Sequence, residues 1–130
     1  MKKIFVSIVL VAVLGLLLAA CGGSGDPKVD AGKVLFNQAT IGANAGCVTC
    51  HSLEKDVVIV GPSFYGIGTT AGTMVAGMDA EAYIRQSIED PNAFMTPGFE
   101  DKTDTMPVNW KTILTVEEED NLVAYLLSLK

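Results

Sequence analysis

The chain has 130 residues, of which 49% are hydrophobic, and its 15 acidic residues outnumber 9 basic ones to give a formal net charge of −6. An acidic chain argues against nucleic acid as a partner, because nucleic-acid binding needs clustered positive charge, and it favours partners with an electropositive docking face. The length suits one small domain, whose modest core often needs a disulfide, a metal or a cofactor for stability.

The first 20 residues predict an export signal. Lys2 and Lys3 precede an almost wholly apolar run, as in secretory signals. The letters LAAC at positions 18–21 resemble a bacterial lipoprotein signal, which implies that Cys21 becomes the lipidated first residue of the mature protein. An uncleaved membrane anchor is the alternative, although the stretch is short for a spanning helix. Either way, the sequence predicts a domain outside the cytoplasm that is tethered to a membrane.

Residues 21–28 predict a flexible linker, because glycine and serine dominate the stretch that follows Cys21. The folded domain is therefore predicted over residues 29–130. Removal of the signal takes away two lysines and leaves 7 basic against 15 acidic residues, a formal net charge of −8. Lipidation of Cys21 also leaves the other two cysteines, Cys47 and Cys50, as a pair.

The domain is predicted to be all-α, with helices joined by long loops and no convincing strand. Residues 30–41 suit a short amphipathic helix that carries Val34, Leu35, Phe36 and Ile41. The segment around the cysteine pair is predicted to be a loop that runs into a turn or short helix.

Two later helices have clear start signals. Asp79 is the predicted N-cap of a helix that Pro91 ends. Thr115 and Glu118 form the capping-box pattern at the start of the last helix. The four acids at 117–120 lie in the first turns, where the helix dipole favours negative charge, and predict a solvated helix start rather than a metal site.

Two long loops lie between these helices. The first begins with the apolar run 57–60, for which a strand is the alternative, and continues through several glycines. The second, over 91–111, contains three prolines. Helices with such long connections cannot pack against themselves alone, so a large group is expected in the middle.

Cys47, Cys50 and His51 form the pattern Cys-x-x-Cys-His. A thioredoxin-type redox pair would need a βαβ context, and a structural zinc site would need about four ligands. A disulfide across two residues closes a loop too small to stabilise much. The pattern is the attachment signature of haem c, in which both thiols form thioethers and the histidine is the proximal iron ligand. The sequence therefore predicts one covalently bound haem.

The order of short motifs resembles a class I monohaem cytochrome c. It is particularly similar to the cytochrome c domain fused to subunit II of some haem-copper oxidases. The matching stretches are AGKVLF, CVTCHS, VGPSFYGI, AYIRQSIEDP, GFEDKTDTMP and LTVEEEDNLVAYLLSL. This resemblance implies a small all-α fold wrapped around haem.

The resemblance also implies roles at the iron. The carbonyl of Pro62 would accept a hydrogen bond from Nδ1 of His51, which fixes the ring. Met106, which precedes Pro107, would be the sixth ligand, and Met95 is the alternative. A thioether ligand raises the reduction potential relative to a second histidine.

Further residues are assigned by the resemblance or by their chemistry. Gly32 and Phe36 on the first helix, with Tyr125 on the last, match the crossing of these helices in the family. Trp110 and Tyr65 are candidates to donate hydrogen bonds to the haem propionates, with core packing as the alternative for each.

A haem with both axial positions filled favours electron transfer over catalysis. The prediction is a membrane-tethered electron carrier that is not itself an enzyme and lies at the outer face of the cytoplasmic membrane or in the periplasm. Its redox partners would be an oxidase, a quinol-oxidising complex or a reaction centre of a respiratory or photosynthetic chain. One alternative is a fixed haem subunit of an oxidase or quinol-oxidising complex. Another is a haem sensor or peroxidase, which would require that Met106 not bind the iron.

Overall fold

The computed structural model describes residues 25–130, so the predicted signal peptide, the lipidation site at Cys21 and the first half of the predicted linker lie outside the described residues. The described part contains the helices α1 Pro27–Phe36, α2 Cys47–Cys50, α3 Ile67–Thr70, α4 Ala80–Glu89, α5 Trp110–Ile113 and α6 Val116–Ser128. Single 3-10 turns cover Ala71–Thr73 and Glu100–Lys102. The predicted all-α fold is confirmed.

Helix α1 begins and ends earlier than the sequence predicts. The Asp26 carboxylate accepts a hydrogen bond from the backbone N–H of Lys28, and Pro27 occupies the first turn, so the helix starts inside the predicted linker. It ends at Phe36 rather than at 41. Val34 was predicted to lie on the apolar face but is 67% exposed, because the buried face of this helix is formed by the residues at 32, 35 and 36.

Ile41 is buried, but in a strand rather than in α1. The strands β1 Thr40–Ile41 and β2 Asn44–Ala45 form a two-residue antiparallel ladder just before the cysteines. The sequence predicts no strand at these positions, because this ladder is too short to show the alternating pattern on which such a prediction depends.

The crossing of α1 and α6 is the main helix contact of the fold. Gly32 lies against the backbone of α6 so closely that a Cβ atom there would overlap the carbonyl oxygen of Asn121. The rings of Phe36 and Tyr125 meet at 5.5 Å with planes tilted by 55°. The contact that the resemblance implied for these helices is therefore present, and Phe36 is fully buried in it.

The predicted start signals of α4 and α6 are confirmed. The carboxylate of Asp79 accepts a hydrogen bond from the N–H of Ala82 at 2.8 Å. Thr115 and Glu118 form the complete capping box, each side chain accepting from the other's backbone N–H. These bonds satisfy N–H groups that a helix start would otherwise leave unpaired.

The acidic run at the start of α6 is only partly solvated, contrary to the prediction. Glu119 is 7% exposed. It pairs with Arg85 of α4 at 3.1 Å, and the same guanidinium reaches Asp120 at 2.9 Å and Glu81 at 3.2 Å. Position at the helix start predicts solvated acids, but the partner that buries Glu119 lies 34 residues earlier in the chain and leaves no local signal. This ion-pair cluster joins α4 to α6.

The two predicted loops contain short helices that the sequence analysis did not anticipate. The first loop holds α3 and the turn at Ala71–Thr73, and the second holds the turn at Glu100–Lys102 and the start of α5. The apolar run 57–60 forms no strand, and all four of its side chains are exposed. Among residues 25–130, no helix is both long and apolar enough to cross a membrane.

Candidate functional site

The cysteine pair and the histidine lie on one helical turn at the wall of a cavity. Helix α2 starts at Cys47, whose carbonyl accepts the N–H of His51 at 2.9 Å. Residues three apart on a helical turn lie on the same side, so Cys47 and Cys50 line the same cavity, and His51, which follows as the C-cap, lines it as well. Neither thiol is in a disulfide.

His51 is held from several directions. Its Nδ1 lies 2.8 Å from the carbonyl oxygen of Pro62. Its ring stacks on Phe64 with 4.1 Å between centroids and 11° between planes. Because the carbonyl can only accept, Nδ1 carries the proton and donates it, and Nε2 keeps its lone pair. The ring therefore has one nitrogen ready to bind a metal.

The segment that carries Pro62 is itself fixed to α2. The N–H groups of Val60 and Gly61 both donate to the carbonyl of Cys50, at 3.1 and 2.9 Å. Gly61 also lies against the imidazole, where a Cβ atom would be 2.9 Å from Nδ1. The chain thus turns back onto the histidine, and only glycine leaves room for the ring.

Burial favours the neutral forms of these groups. It lowers the pKa of the His51 imidazole, against the opposing effect of the hydrogen bond to Pro62. Burial also raises the pKa of the Cys47 thiol to about 11. A neutral imidazole is the form that binds iron, and a site that disfavours thiolate suits an uncharged thioether.

Three methionines line the cavity. Met95 and Met106, both identified from the sequence, lie on the connection between α4 and α5, and Met74 lies just after α3. The structure therefore brings both candidate axial ligands to one cavity with His51. Met78, four residues after Met74, is not among the lining residues.

Trp110 contributes a buried donor without a partner. Its side chain is 4% exposed and lines the cavity, and within residues 25–130 its Nε1–H has no hydrogen-bond acceptor. Leaving a buried N–H unpaired costs about 1–3 kcal/mol. Tyr65, the other candidate donor, is 56% exposed and does not line the cavity. Of these two candidates, therefore, only Trp110 is in position to donate to a polar group inside the cavity.

The remaining walls are mainly apolar and come from the long helices. They include Phe36 of α1, Ile84 and Ile88 of α4, and Leu122 and Leu126 of α6. A haem c fits this donor set and lining, since its ring is apolar and its carboxylates would accept the Trp110 N–H. Cys47 and Cys50 would hold it covalently, and His51 would bind the iron from Nε2.

Several residues of the site escaped the sequence analysis. Phe64 belongs to one of the matching stretches, but nothing local marks an aromatic residue 13 positions after His51 as its stacking partner. Asn92, next to the helix-ending Pro91, lines the cavity as well. The only local signal for Asn92 is that a polar residue directly follows the proline that ends α4.

A comparison with protein families supports the same interpretation. A family model described as Cytochrome c matches residues 29–130. No curated protein and no solved structure gives a significant match to the chain. The matched segment covers most of the chain and contains the thiols, the imidazole and the cavity. The chain therefore belongs to the cytochrome c family, which binds covalently attached haem c and carries electrons.

Proposed function

We propose that the protein is a membrane-tethered cytochrome c whose iron is bound by His51 and Met106. The observation that carries this proposal is the imidazole of His51, which Pro62 and Phe64 hold at a cavity that Met106 and the two attachment cysteines also line. When bound, the haem supplies a metal centre that gains and loses one electron.

The chain's own residues explain why this centre would transfer electrons rather than bind substrates. His51 donates Nδ1–H to Pro62, which orients the ring and increases its basicity. Met106 would provide a soft, uncharged sulfur that favours the ferrous state and leaves no open position for a substrate. Trp110 would donate its buried N–H to a haem carboxylate, which would hold that negative charge at a defined place.

Met106 is preferred over Met95 because of the local sequence. Met106 precedes Pro107, as the ligand methionine does in the family that the chain resembles, whereas Met95 precedes Thr96. Both line the cavity, so exchange of one side chain at a time separates them.

Replacing Met106 by alanine is expected to remove the methionine-to-iron charge-transfer band of the ferric protein. We also expect the reduction potential to fall by on the order of 0.1 V, a fraction of the ~0.8 V range that axial ligands span. Absorption spectra and potentiometry of the purified haem protein measure both. Met95→Ala is the matched control and should retain the band. Loss of the band in Met95→Ala alone would assign the ligand to Met95, and a high-spin wild-type spectrum would favour a sensor or peroxidase.

The proposed location is the outer face of the cytoplasmic membrane or the periplasm, with Cys21 as the lipidated N-terminus after cleavage of residues 1–20. A lipid tether keeps a small carrier at high effective concentration near membrane complexes. The partners would be an oxidase, a quinol-oxidising complex or a reaction centre, met through weak encounters that are sensitive to salt.

Replacing Cys21 by serine is expected to abolish lipidation, because the lipid is joined through the cysteine sulfur and the serine hydroxyl is a much weaker nucleophile. The mature wild-type protein should fractionate with membranes and have a mass that begins at residue 21 plus lipid. The variant should lack the lipid mass. A wild-type protein of full-length mass, with residues 1–20 retained, would instead support the uncleaved anchor.

A fixed subunit of an oxidase or quinol-oxidising complex is the second candidate. The exposed apolar run 57–60 favours it, since Val58 and Ile59 are 59% and 51% exposed and permanent interfaces are more apolar than transient ones. The two candidates can be separated by solubilising native membranes, diluting the protein to nanomolar concentration and measuring the size of the particle that carries it. A fixed subunit stays in a large complex, and a shuttle migrates alone.

A further inference from the structure

The segment that carries Met106 has little regular structure of its own, so contacts with other parts of the fold must hold its shape. The connection between α4 and α5 has only the single 3-10 turn Glu100–Lys102 as regular structure. Connections of this length rarely hold one shape unless they are tied down. Both Met95 and Met106 lie on it, so its shape decides which sulfur reaches the iron.

The two methionines are held by different contacts. Met95 lies between Phe94 and Thr96, and both of these neighbours contact Tyr83 of α4. The rings of Tyr83 and Phe94 meet edge to face at 5.9 Å, and the Tyr83 hydroxyl lies 3.5 Å from Oγ1 of Thr96. Residues 94–96, here called the Met95 arm, are therefore attached to α4 independently of Met106.

Residues 103–107, here called the Met106 arm, are attached to Asn92 by a reciprocal pair of hydrogen bonds. The Nδ2–H of Asn92 donates to Oδ1 of Asp104 at 2.6 Å, and the backbone N–H of Asp104 donates to Oδ1 of Asn92 at 3.1 Å. The other hydrogen bonds of residues 103–107 go to the preceding turn at 100–102. Within the described residues, the two bonds to Asn92 are the ones that join this segment to a more distant part of the chain. Asn92 thus supplies the long-range polar attachment of the arm.

The backbone at Asp104 also indicates a fixed conformation. Its φ is +63°, in the left-handed region that residues with a Cβ atom seldom adopt. Aspartate and asparagine tolerate this region better than other such residues. The bonds to Asn92 hold the chain in this turn two residues before Met106.

Asn92 is well placed to act as the fixed half of the pair. It follows Pro91 directly after the end of α4, is half-buried and lines the cavity. Helix α4 is in turn packed into the core through Ile84 and Ile88. Asn92 therefore gives the Met106 arm a polar attachment to a helix that is itself packed in the core, in addition to the apolar packing of Met106.

We propose that the Asn92–Asp104 pair is a positioning latch that keeps Met106 on the iron and excludes small ligands from the same position. This inference rests on the proposed His51/Met106 ligation. The latch touches no reacting atom, and it acts by restricting how far the arm can move from the cavity.

Asn92→Ala removes both bonds and tests the latch in the haem-loaded protein, with imidazole as the probe for an open iron position. We expect imidazole to bind the ferric variant about tenfold more tightly than the wild type, the size expected for loss of one to two exposed hydrogen bonds. The charge-transfer band should weaken, and the amide of Asp104 should exchange faster with deuterium. Asp104→Asn keeps an acceptor oxygen and tolerates the left-handed turn, so it should behave like the wild type.

Asn37→Ala is the matched control, because it removes an exposed asparagine bond to the carbonyl of Lys33 on α1. It should leave imidazole affinity unchanged. If Asn92→Ala fails to fold, Asp104→Gly removes the side-chain acceptor while relieving the backbone, and it should still bind imidazole more tightly than Asp104→Asn. The latch is overturned if Asn92→Ala binds imidazole no more tightly than the control does. Where Asp104→Gly replaces Asn92→Ala, the same criterion applies to it.

Met106→Ala and Met95→Ala, measured alongside, distinguish failure of the latch from failure of the proposed ligation. If Met106→Ala removes the band and Asn92→Ala has no effect, the ligation stands and the latch is wrong. If only Met95→Ala removes the band, the ligation is wrong and the latch fails with it.

Discussion

Replacing Gly32 by alanine is expected to lower the free energy of unfolding by about 3 kcal/mol, the upper part of the usual range for overpacking a core. A Cβ atom at this position would overlap the backbone carbonyl of Asn121 and lie 2.8 Å from Cβ of Tyr125. Neither atom can move without separating α1 from α6. Denaturation of the haem protein, followed by circular dichroism and haem absorption, measures the loss.

Gly72→Ala is the matched control for this change. A Cβ atom there would meet only Ala80, at 3.4 Å or more, which is ordinary contact. Its effect should stay under about 1 kcal/mol, as for most substitutions that create no strain. Equal losses in the two variants would mean that the close approach of α1 to α6 does not limit stability.

Replacing Gly61 by alanine is expected to disturb the proximal ligand directly, because the added methyl group would press on the His51 ring. The new Cβ atom would lie 2.9 Å from Nδ1 and 3.0 Å from Nε2 of His51. The ring cannot turn aside, because Pro62 holds its edge and Phe64 lies against its face. We expect a ferric spectrum shifted towards high spin and a stability loss of about 1–3 kcal/mol. Absorption and resonance Raman spectra report the state of the iron–histidine bond.

A loss of stability alone could also change the spectrum, so the control must destabilise the protein elsewhere. Gly68→Ala does this, since its Cβ atom would overlap the carbonyl of Leu127 at the end of α6. This variant should unfold more easily while its ferric spectrum at room temperature stays that of the wild type. An unshifted spectrum in Gly61→Ala would show that the histidine has more room than its contacts indicate.

Local chemistry explains which parts of the fold the sequence could predict. The cap at Asp79, the capping box at Thr115 and the attachment motif at 47–51 each involve residues within four positions of one another. Such patterns have a fixed physical meaning wherever they occur. The all-α fold and the haem followed from them, together with the resemblance to a known family.

The parts that the sequence could not predict depend on contacts between distant residues. Nothing near Glu119 shows that Arg85 will bury it, and nothing near Asp104 shows that Asn92 will hold it. Val34 matches an apolar pattern, but which side of a helix is buried is decided by the partner helix. For the same reason the sequence left Met95 and Met106 as alternatives, since both reach the cavity only through the folded loop.

The confinement of His51 has a consequence for the speed of electron transfer. A ring held by the Pro62 carbonyl, the Phe64 face and the backbone of Gly61 has little freedom to shift when the charge on the metal changes. A close-packed interior resists such rearrangement. The activation energy that goes into reorganising the ligands should then be small. Turnover would be governed by how often the protein meets its partners and in which orientation, and not by events within the site.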